Sequence, residues 1–413
     1  MLNQDIIREA TRLTRAGQLV EATALLQRML HGARAPDASP DTGGRIALAA
    51  PLIIDATANV VEETDRSPQS EPASSVQPNM LRALLDRKDG RSAGLRGVMK
   101  RAPLSTPDIV PEGAQFIERT YSSPAGSRTY RLFIPSRYRE QPLPLVVMLH
   151  GCTQSPDDFA AGTRMNVLAE EQNCFVAYPA QPRQANQAKC WNWFRKGDQQ
   201  RGRGEPSLIA GLTRQIMNEY SVDRKHVYVG GLSAGAAAAA IMGETYNDLY
   251  AAIGIHSGLA CGVATDLPSA LVAMRQGGSD TKVVSGHRPA VPAIVFHGDR
   301  DTTVHPNNGG QILEQSLGAM ATQKKVHRGQ VPGGHAYTRT ILSDASGRGM
   351  LEHWNIHGAG HAWSGGSPAG SYTDPRGPDA TREMLRFFLE HSFPEEQGCP
   401  SRADLAMSPL ARS

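Results

Sequence analysis

The strongest constraint in the sequence is Gly231-Leu-Ser-Ala-Gly235, set directly between an apolar run at 227–229 and an alanine-rich stretch that begins at Ala234. A strand that turns sharply into a helix around G-x-S-x-G holds its serine in a strained conformation and lifts the hydroxyl above the carboxyl edge of a sheet. The two glycines have a mechanical reason: the turn packs strand and helix so closely that side chains at Gly231 and Gly235 would collide with backbone. The helix N-terminus behind Ser233 favours negative charge there. Residues 227–246 are therefore read as a strand, turn and helix, with Ser233 as the candidate nucleophile.

A serine hydroxyl is a poor nucleophile at neutral pH unless a base takes its proton, so a histidine and an orienting carboxylate are expected further along. His297-Gly-Asp-Arg-Asp301 follows the apolar run at 293–296 and offers the carboxylate. Asp301 is preferred; Asp299, nearer the strand end, is the rival that would shape the turn. Among 13 histidines, His361 in Gly358-Ala-Gly-His-Ala-Trp-Ser-Gly-Gly366 has the glycines that free a loop to carry an imidazole over the sheet edge. His305, His353 and His357 are nearby rivals. His353 falls on an expected strand and His305 follows too soon after the acid, which suits packing or surface roles. The oxyanion formed on attack needs two donors already in place. Ala234 N–H is one, and Cys152 N–H, on the loop 149–154 after an apolar run, is the best second, with Thr153 as its substitute. His150 and Gly151 would shape that loop.

Around this unit the periodicity reads as alternating strands and helices. Residues 116–121 and 130–134 form a hairpin across 122–126, and 143–149 is a continuous apolar run suited to a strand buried on both faces. A helix at 159–171, a strand at 174–178, a helix at 207–220, a strand at 227–230 and a helix at 234–246 follow. Strands at 251–256 and 293–297, a helix at 311–317, a strand at 351–356 and a helix at 380–391 complete the series. That order implies an α/β domain with a mainly parallel central sheet and helices on both faces.

The 413 residues exceed what one hydrophobic core spans, since cores stop growing near ~250–300 residues. Residues 1–32 read as a small helical hairpin, with Ile6, Ala10 and Leu13 on one stripe, Gly17 as the break, and Leu19, Ala22, Leu25, Leu26 and Met29 on the next. The pattern resembles one tetratricopeptide-type unit, but without a second copy it reads as a docking hairpin. Residues 33–112 form a low-complexity, disordered linker in which Arg82, Arg87, Lys88, Arg91, Arg96, Lys100 and Arg101 outnumber Asp86 and Asp89. The domain occupies 113–394 and a flexible tail 395–413. With 43 basic against 40 acidic residues the net charge is +3, too even to draw the chain onto phosphate backbones, so nucleic acid is excluded as a primary partner. The sequence has no apolar run long enough to cross a bilayer. Charged residues Asp5, Arg8, Glu9, Arg12 and Arg15 interrupt the start, so no secretory signal is evident and the compartment stays open. Five cysteines without a CxxC pair give neither a disulfide scaffold nor a zinc site, and no metal or cofactor is expected.

The set His150-Gly-Cys-Thr-Gln154, Cys190-Trp-Asn-Trp-Phe194, Gly231-Leu-Ser-Ala-Gly235, His256-Ser-Gly258, His297-Gly-Asp-Arg-Asp301 and Gly360-His-Ala-Trp-Ser-Gly-Gly366 resembles the polyhydroxybutyrate depolymerase-type esterases of the α/β-hydrolase fold. It covers about residues 115–394. The resemblance implies an α/β-hydrolase core and serine-dependent ester hydrolysis without a metal, with Ser233, Asp301 and His361 in the roles given above. It implies short-chain hydroxyalkanoate oligomers or related acyl and aryl esters as substrates, with feruloyl or acetylxylan-type hydrolysis as the alternative. A serine peptidase or a non-catalytic binding protein ranks below both. In this family cysteines placed like Cys152 and Cys190 can bridge the oxyanion loop to the tryptophan segment; two reduced thiols are the other state. Trp191 and Trp193 are candidates to line the substrate site, with burial in the core as the alternative. An extracellular or periplasmic setting is also implied, and residues 1–110 offer a route to contact with a granule or surface.

Overall fold

A computed structural model of the chain describes residues 109–278, 291–317 and 322–393. The expected hairpin at 1–32, nearly all of the linker and the tail at 395–413 lie outside the described residues.

The first strands, β1 (Gln115–Ser123) and β2 (Gly126–Ile134), form an antiparallel hairpin turning at Pro124 and Ala125. There follow β3 (Leu143–Leu149), α1 (Pro156–Thr163), α2 (Met165–Gln172), β4 (Phe175–Pro179), α3 (Gly204–Glu219), β5 (Val222–Leu232), α4 (Ala234–Thr245), β6 (Ala252–His256) and α5 (Leu267–Gln276). Then come β7 (Ala293–Gly298), α6 (Asn307–Leu317), β8 (Gln323–Gln330), β9 (Ala336–Ser343), β10 (Gly349–Ile356), a short ribbon of β11 (Trp363–Ser364) with β12 (Thr373–Asp374), and α7 (Ala380–Leu389). A ten-stranded sheet runs in the order β1-β2-β4-β3-β5-β6-β7-β10-β9-β8. Its middle, from β4 to β10, is parallel, and an antiparallel hairpin closes each side.

Successive side chains on a strand face opposite ways, so a strand covered on both sides must be apolar throughout. On β3, Leu145, Val147 and Leu149 pack with Val229, Ile253 and Val295 against Leu212 and Ile216 of α3 and the alanines of α4. Val146 and Met148 point the other way, joining Phe296 and Trp354 beneath Phe159, Leu168, Met384 and Phe388 of α1, α2 and α7. Every strand that carries a candidate site residue thus ends its run clamped between two apolar layers.

Several elements differ from the sequence reading. The helix expected over 159–171 is two helices, because Arg164 adopts a left-handed φ of 56° that ends α1 and starts α2. The carbonyls at the end of α1 are taken from outside: Gly162 O accepts from Ser367 N at 2.8 Å, and Thr163 O accepts from Thr381 Oγ1 at 2.6 Å. Helix α5 was not anticipated, although Asp266 and Ser269 form a reciprocal cap at its start. The pair β8 and β9 was not anticipated either.

Candidate active site

Ser233 sits between β5 and α4 with φ 57° and ψ −119°, a backbone conformation costly for any residue with a Cβ. Its N–H donates to His256 O at 2.9 Å, tying the turn to the end of β6. A Cβ on Gly235 would stand 2.0 Å from Leu149 O, and one on Gly231 would stand 2.5 Å from the same atom. The glycines are therefore required by a three-way approach of β3, β5 and α4.

The loop after β7 carries Asp301, which is 4% exposed. Its Oδ1 accepts from Thr303 N and Val304 N, both at 2.8 Å. Its Oδ2 accepts from His361 Nδ1 at 2.7 Å. Burial works to raise the Asp301 pKa, but the histidines His297 and His361 and the Val304 N–H overcome it and hold the carboxyl below its usual range. Because a carboxylate only accepts, His361 Nδ1 carries the proton, and Nε2 is left with its lone pair. That Nε2 is buried and has no hydrogen-bond partner among the described residues.

Asp299 is placed apart from this pair. It pairs instead with His357, whose Nδ1 donates to Asp299 Oδ2 at 2.9 Å. His305 caps the start of α6, its Nδ1 accepting from Asn307 N at 3.2 Å. His353 lies on β10, where burial depresses its pKa to about 4.

On the loop after β3, Thr153 N–H donates to Ala188 O at 2.7 Å and Gly151 N–H to Gln154 Oε1 at 2.9 Å. Thr153 is thereby corrected as a substitute oxyanion donor, since its N–H is already engaged. Cys152 N–H has no partner among the described residues. Ala234 N–H, first in its helix, has no intrahelical acceptor. His150 shapes this loop: its Nδ1 donates to Gly151 O at 2.8 Å and its Nε2 accepts from Gln181 N at 3.1 Å. Burial drives its pKa down to about 4, so the ring is neutral.

Cys152 and Cys190 form a disulfide across a sequence separation of 38 residues. It joins the loop 150–154 to the tryptophan segment, which is held from below by Glu205, whose Oε2 accepts from Asn192 N at 2.7 Å. The expectation that Trp191 lines a substrate site is corrected. It is 0% exposed, and its Nε1 donates to His150 O at 3.1 Å, so the indole is a prop under the loop. Trp193, at 7% exposure, is likewise turned into the core against Phe194.

Two residues matter to this geometry that the sequence reading gave no role. His256, at the end of β6, is stacked between Phe296 and Trp363 at centroid distances of 5.7 and 5.0 Å. Its Nε2 accepts from Ser364 N at 3.0 Å, anchoring the loop that carries His361. Burial, with the nearby His297 and His361, lowers its pKa to about 3, so it acts as a neutral acceptor. His297 Nε2 donates to Val304 O at 2.8 Å and stands 3.5 Å from Asp301 Oδ2, shaping the loop that carries Asp301. Their positions at the ends of apolar strands and at the heads of two of the quoted motifs are the marks the sequence carries. Among the described residues, no cluster of three His, Cys, Asp or Glu side chains is arranged to hold a metal ion.

Residues 128–323 match the family described as Esterase PHB depolymerase. The chain is 33% identical over 228 residues to poly(3-hydroxyalkanoate) depolymerase C of Paucimonas lemoignei, covering 53% of this chain and 54% of that one. It is 26% identical over 215 residues to a probable acetylxylan esterase A of Neosartorya fischeri, covering 48% and 56%. It is 26% identical over 285 residues to feruloyl esterase B of Neurospora crassa, covering 65% and 89%. The chain thus spans about half the length of the first two of these curated relatives. An acetyl xylan esterase from Aspergillus awamori superposes with a TM-score of 0.51 at 20% identity, over 67% of this chain and 99% of that one, and so shares the fold. The chain thus has the α/β-hydrolase fold, and its residues 128–323 are similar to the polyhydroxybutyrate depolymerase-type esterases.

Proposed function

We propose that the chain hydrolyses carboxylic esters through Ser233, His361 and Asp301. The observation that carries the reading is the His361 ring. Its Nδ1 is held by Asp301 Oδ2 at 2.7 Å, while its Nε2 is buried and has no hydrogen-bond partner among the described residues. That tautomer is the one a general base needs. Ser233 Oγ attacks the ester carbonyl as Nε2 takes its proton, and Asp301 stabilises the imidazolium without itself being protonated. The N–H groups of Ala234 and Cys152 receive the oxyanion, each contributing roughly 3–4 kcal/mol to the barrier reduction in comparable sites. His361 then returns the proton to the leaving alcohol. Water, activated by the same Nε2, attacks the acyl-enzyme and releases the acid.

Short-chain hydroxyalkanoate oligomers or related acyl and aryl esters are the substrates proposed first, following the 33% identity to a polyhydroxyalkanoate depolymerase. Feruloyl or acetylxylan-type hydrolysis is the second reading. It is favoured by the span of the likeness, which covers 89% of feruloyl esterase B and 99% of the solved acetyl xylan esterase. A fluorophosphonate probe tests the chemistry: it should label wild-type protein at Ser233 and leave Ser233→Ala unlabelled. Turnover of 3-hydroxybutyrate oligomers, methyl ferulate and acetylated xylan, compared as kcat/KM, separates the substrates. Wild-type protein that neither labels nor turns over any of them would refute the reading.

A further inference from the structure

Beside the Asp301–His361 pair lies a second Asp–His pair that the reaction does not use. Asp299 is two residues before Asp301, and His357 is four before His361. Asp299 Oδ2 accepts from His357 Nδ1 at 2.9 Å, and Oδ1 accepts from Gly358 N at 2.7 Å. On its far side, His357 Nε2 is hydrogen-bonded to Thr338 Oγ1 of β9 at 2.9 Å. The backbones of the two loops are joined at the same place: Asp299 N donates to Ile356 O at 3.1 Å and Arg300 N to Ala359 O at 3.0 Å. A Cβ on Gly298 would stand 2.3 Å from Ala359 O, so the loops touch with no space for a side chain.

The pair is half exposed, with side-chain exposures of 42% for His357 and 36% for Asp299. Ion pairs in such surroundings contribute little to stability, ~0–1 kcal/mol. Its arrangement is nevertheless directional. Asp299 uses both oxygens on the base's loop, and His357 uses both nitrogens, so the loop after β10 is fixed along two directions relative to the loop after β7. A shift of the base by 1 Å relative to acid and nucleophile costs on the order of 10²-fold in rate. Backbone bonds alone leave the glycine-rich path from Gly358 to Gly360 free to pivot.

We propose that Asp299 and His357 are positioning residues, a clamp that sets the register of the base's loop against the acid's loop. This rests on the assignment of His361 and Asp301 as base and acid. Asp301 orients one imidazole, whereas Asp299 orients the loop that brings that imidazole there. The groups facing His361 are Asp301 and the neutral His256, with His297 behind the acid. Removing the His357 ring therefore alters the base only through its placement, and leaves the Asp299 charge where it was.

The test uses the full-length protein and a soluble activated ester, with kcat and KM measured for His357→Ala, His357→Asn, Asp299→Ala and the Asp299→Ala/His357→Ala double variant. His357→Ala should lose about tenfold in kcat with KM within about twofold. His357→Asn, whose side-chain amide can donate as Nδ1 does, should recover most of the rate. The double variant should be no slower than Asp299→Ala, since the two residues act as one unit. Wild-type kcat in His357→Ala, a His357→Asn variant as slow as His357→Ala, or multiplied losses in the double variant would each overturn the clamp. Fluorophosphonate labelling of wild type separates the failures. A labelled wild type beside an unimpaired His357→Ala sinks the clamp alone, and an unlabelled wild type removes the proposed chemistry and the clamp with it.

Discussion

Replacing Gly235 by alanine tests the elbow with the smallest possible change. The added methyl would meet Leu149 O at 2.0 Å, Leu149 C at 2.5 Å and His150 O at 2.6 Å. All three are backbone atoms, so no rotamer change relieves the contact. To reach ordinary van der Waals distance, Leu149 O must retreat by about 1.4 Å. Leu149 is the last residue of β3 and is paired with Gly231, so the retreat pries β3 from β5 at the edge that holds the site. Overpacking of this kind costs about 1–3 kcal/mol, here at the upper end, or roughly 5–10 °C in Tm for a domain of this size. The chemical effect is larger. Cys152, the proposed oxyanion donor, follows three residues on, and a displacement of such a donor by about 1 Å costs on the order of 10²-fold in kcat. Circular dichroism melts, ester kinetics and fluorophosphonate labelling measure the two effects separately. Gly310→Ala is the control. Its Cβ meets nothing within 4 Å in α6, so that variant should be neutral or more stable by about 0.5–1 kcal/mol with unchanged turnover. A Gly235→Ala protein with wild-type Tm and kcat would refute the close-approach argument.

Ser233→Ala should keep the wild-type melt and lose about 10⁴-fold or more in rate, and Asp301→Asn should lose far more than Asp299→Asn; the reverse ranking would move the acid. Acid should unfold the domain early. His150 and His256 have pKa values lowered by burial to about 4 and about 3, below an unfolded value near ~6.5. Between those limits the unfolded chain binds protons that the folded chain refuses, so stability falls as pH drops, by about 1.4 kcal/mol per unit for each ring. Asp301, whose folded pKa is also depressed, keeps its contribution until pH falls below ~3.9 and adds to the loss only there. Urea melts from pH 7 to pH 5 that show no loss would contradict the buried neutral rings. Reduction of Cys152–Cys190 should cost about 3–4 kcal/mol for a loop of this separation and lower kcat as the Cys152 loop loosens. Unchanged melts and rates in dithiothreitol, with thiol titration confirming reduction, would remove the disulfide from both roles.

The legible parts of this molecule are those where a local pattern and the tertiary fold make the same demand. Residues 143–149 read as a buried strand because both faces are covered, and Gly231 to Gly235 read as an elbow because the strand and helix flank it directly. The loops that carry Asp301 and His361 were legible because each follows an apolar run, whereas the pairing of Asp299 with His357 depends on how β7 and β10 line up, which no local signal carries. Strand β8, Gln-Lys-Lys-Val-His-Arg-Gly-Gln, is exposed along nearly all of its length at the edge of the sheet and shows no apolar alternation to read. Arg164 breaks a helix without a glycine, asparagine or proline to mark it, because the terminating partners, Ser367 and Thr381, come from some 200 residues away. The two tryptophans had the composition of a binding surface. Only the packing of His150 over Trp191 turns that indole inward.

Helix α4 is buried at every position from Ala234 to Gly243, its alanines packed on the sheet from one side and covered from the other. A helix with no free face cannot drift in composition one residue at a time: any larger side chain meets a wall, as Gly243 already shows with Ile253 at 2.9 Å from the place a Cβ would take. The proposed nucleophile is therefore mounted on the least adjustable element of the domain. The loops that carry Cys152 and His361 are pinned to their neighbours, whereas segment 258–266, which leaves the end of β6, carries no proposed site residue and can lengthen at small entropic cost. An architecture divided in this way leaves change in substrate to the rim while the proposed nucleophile stays where it is, and a search for altered specificity should begin with insertions in that segment.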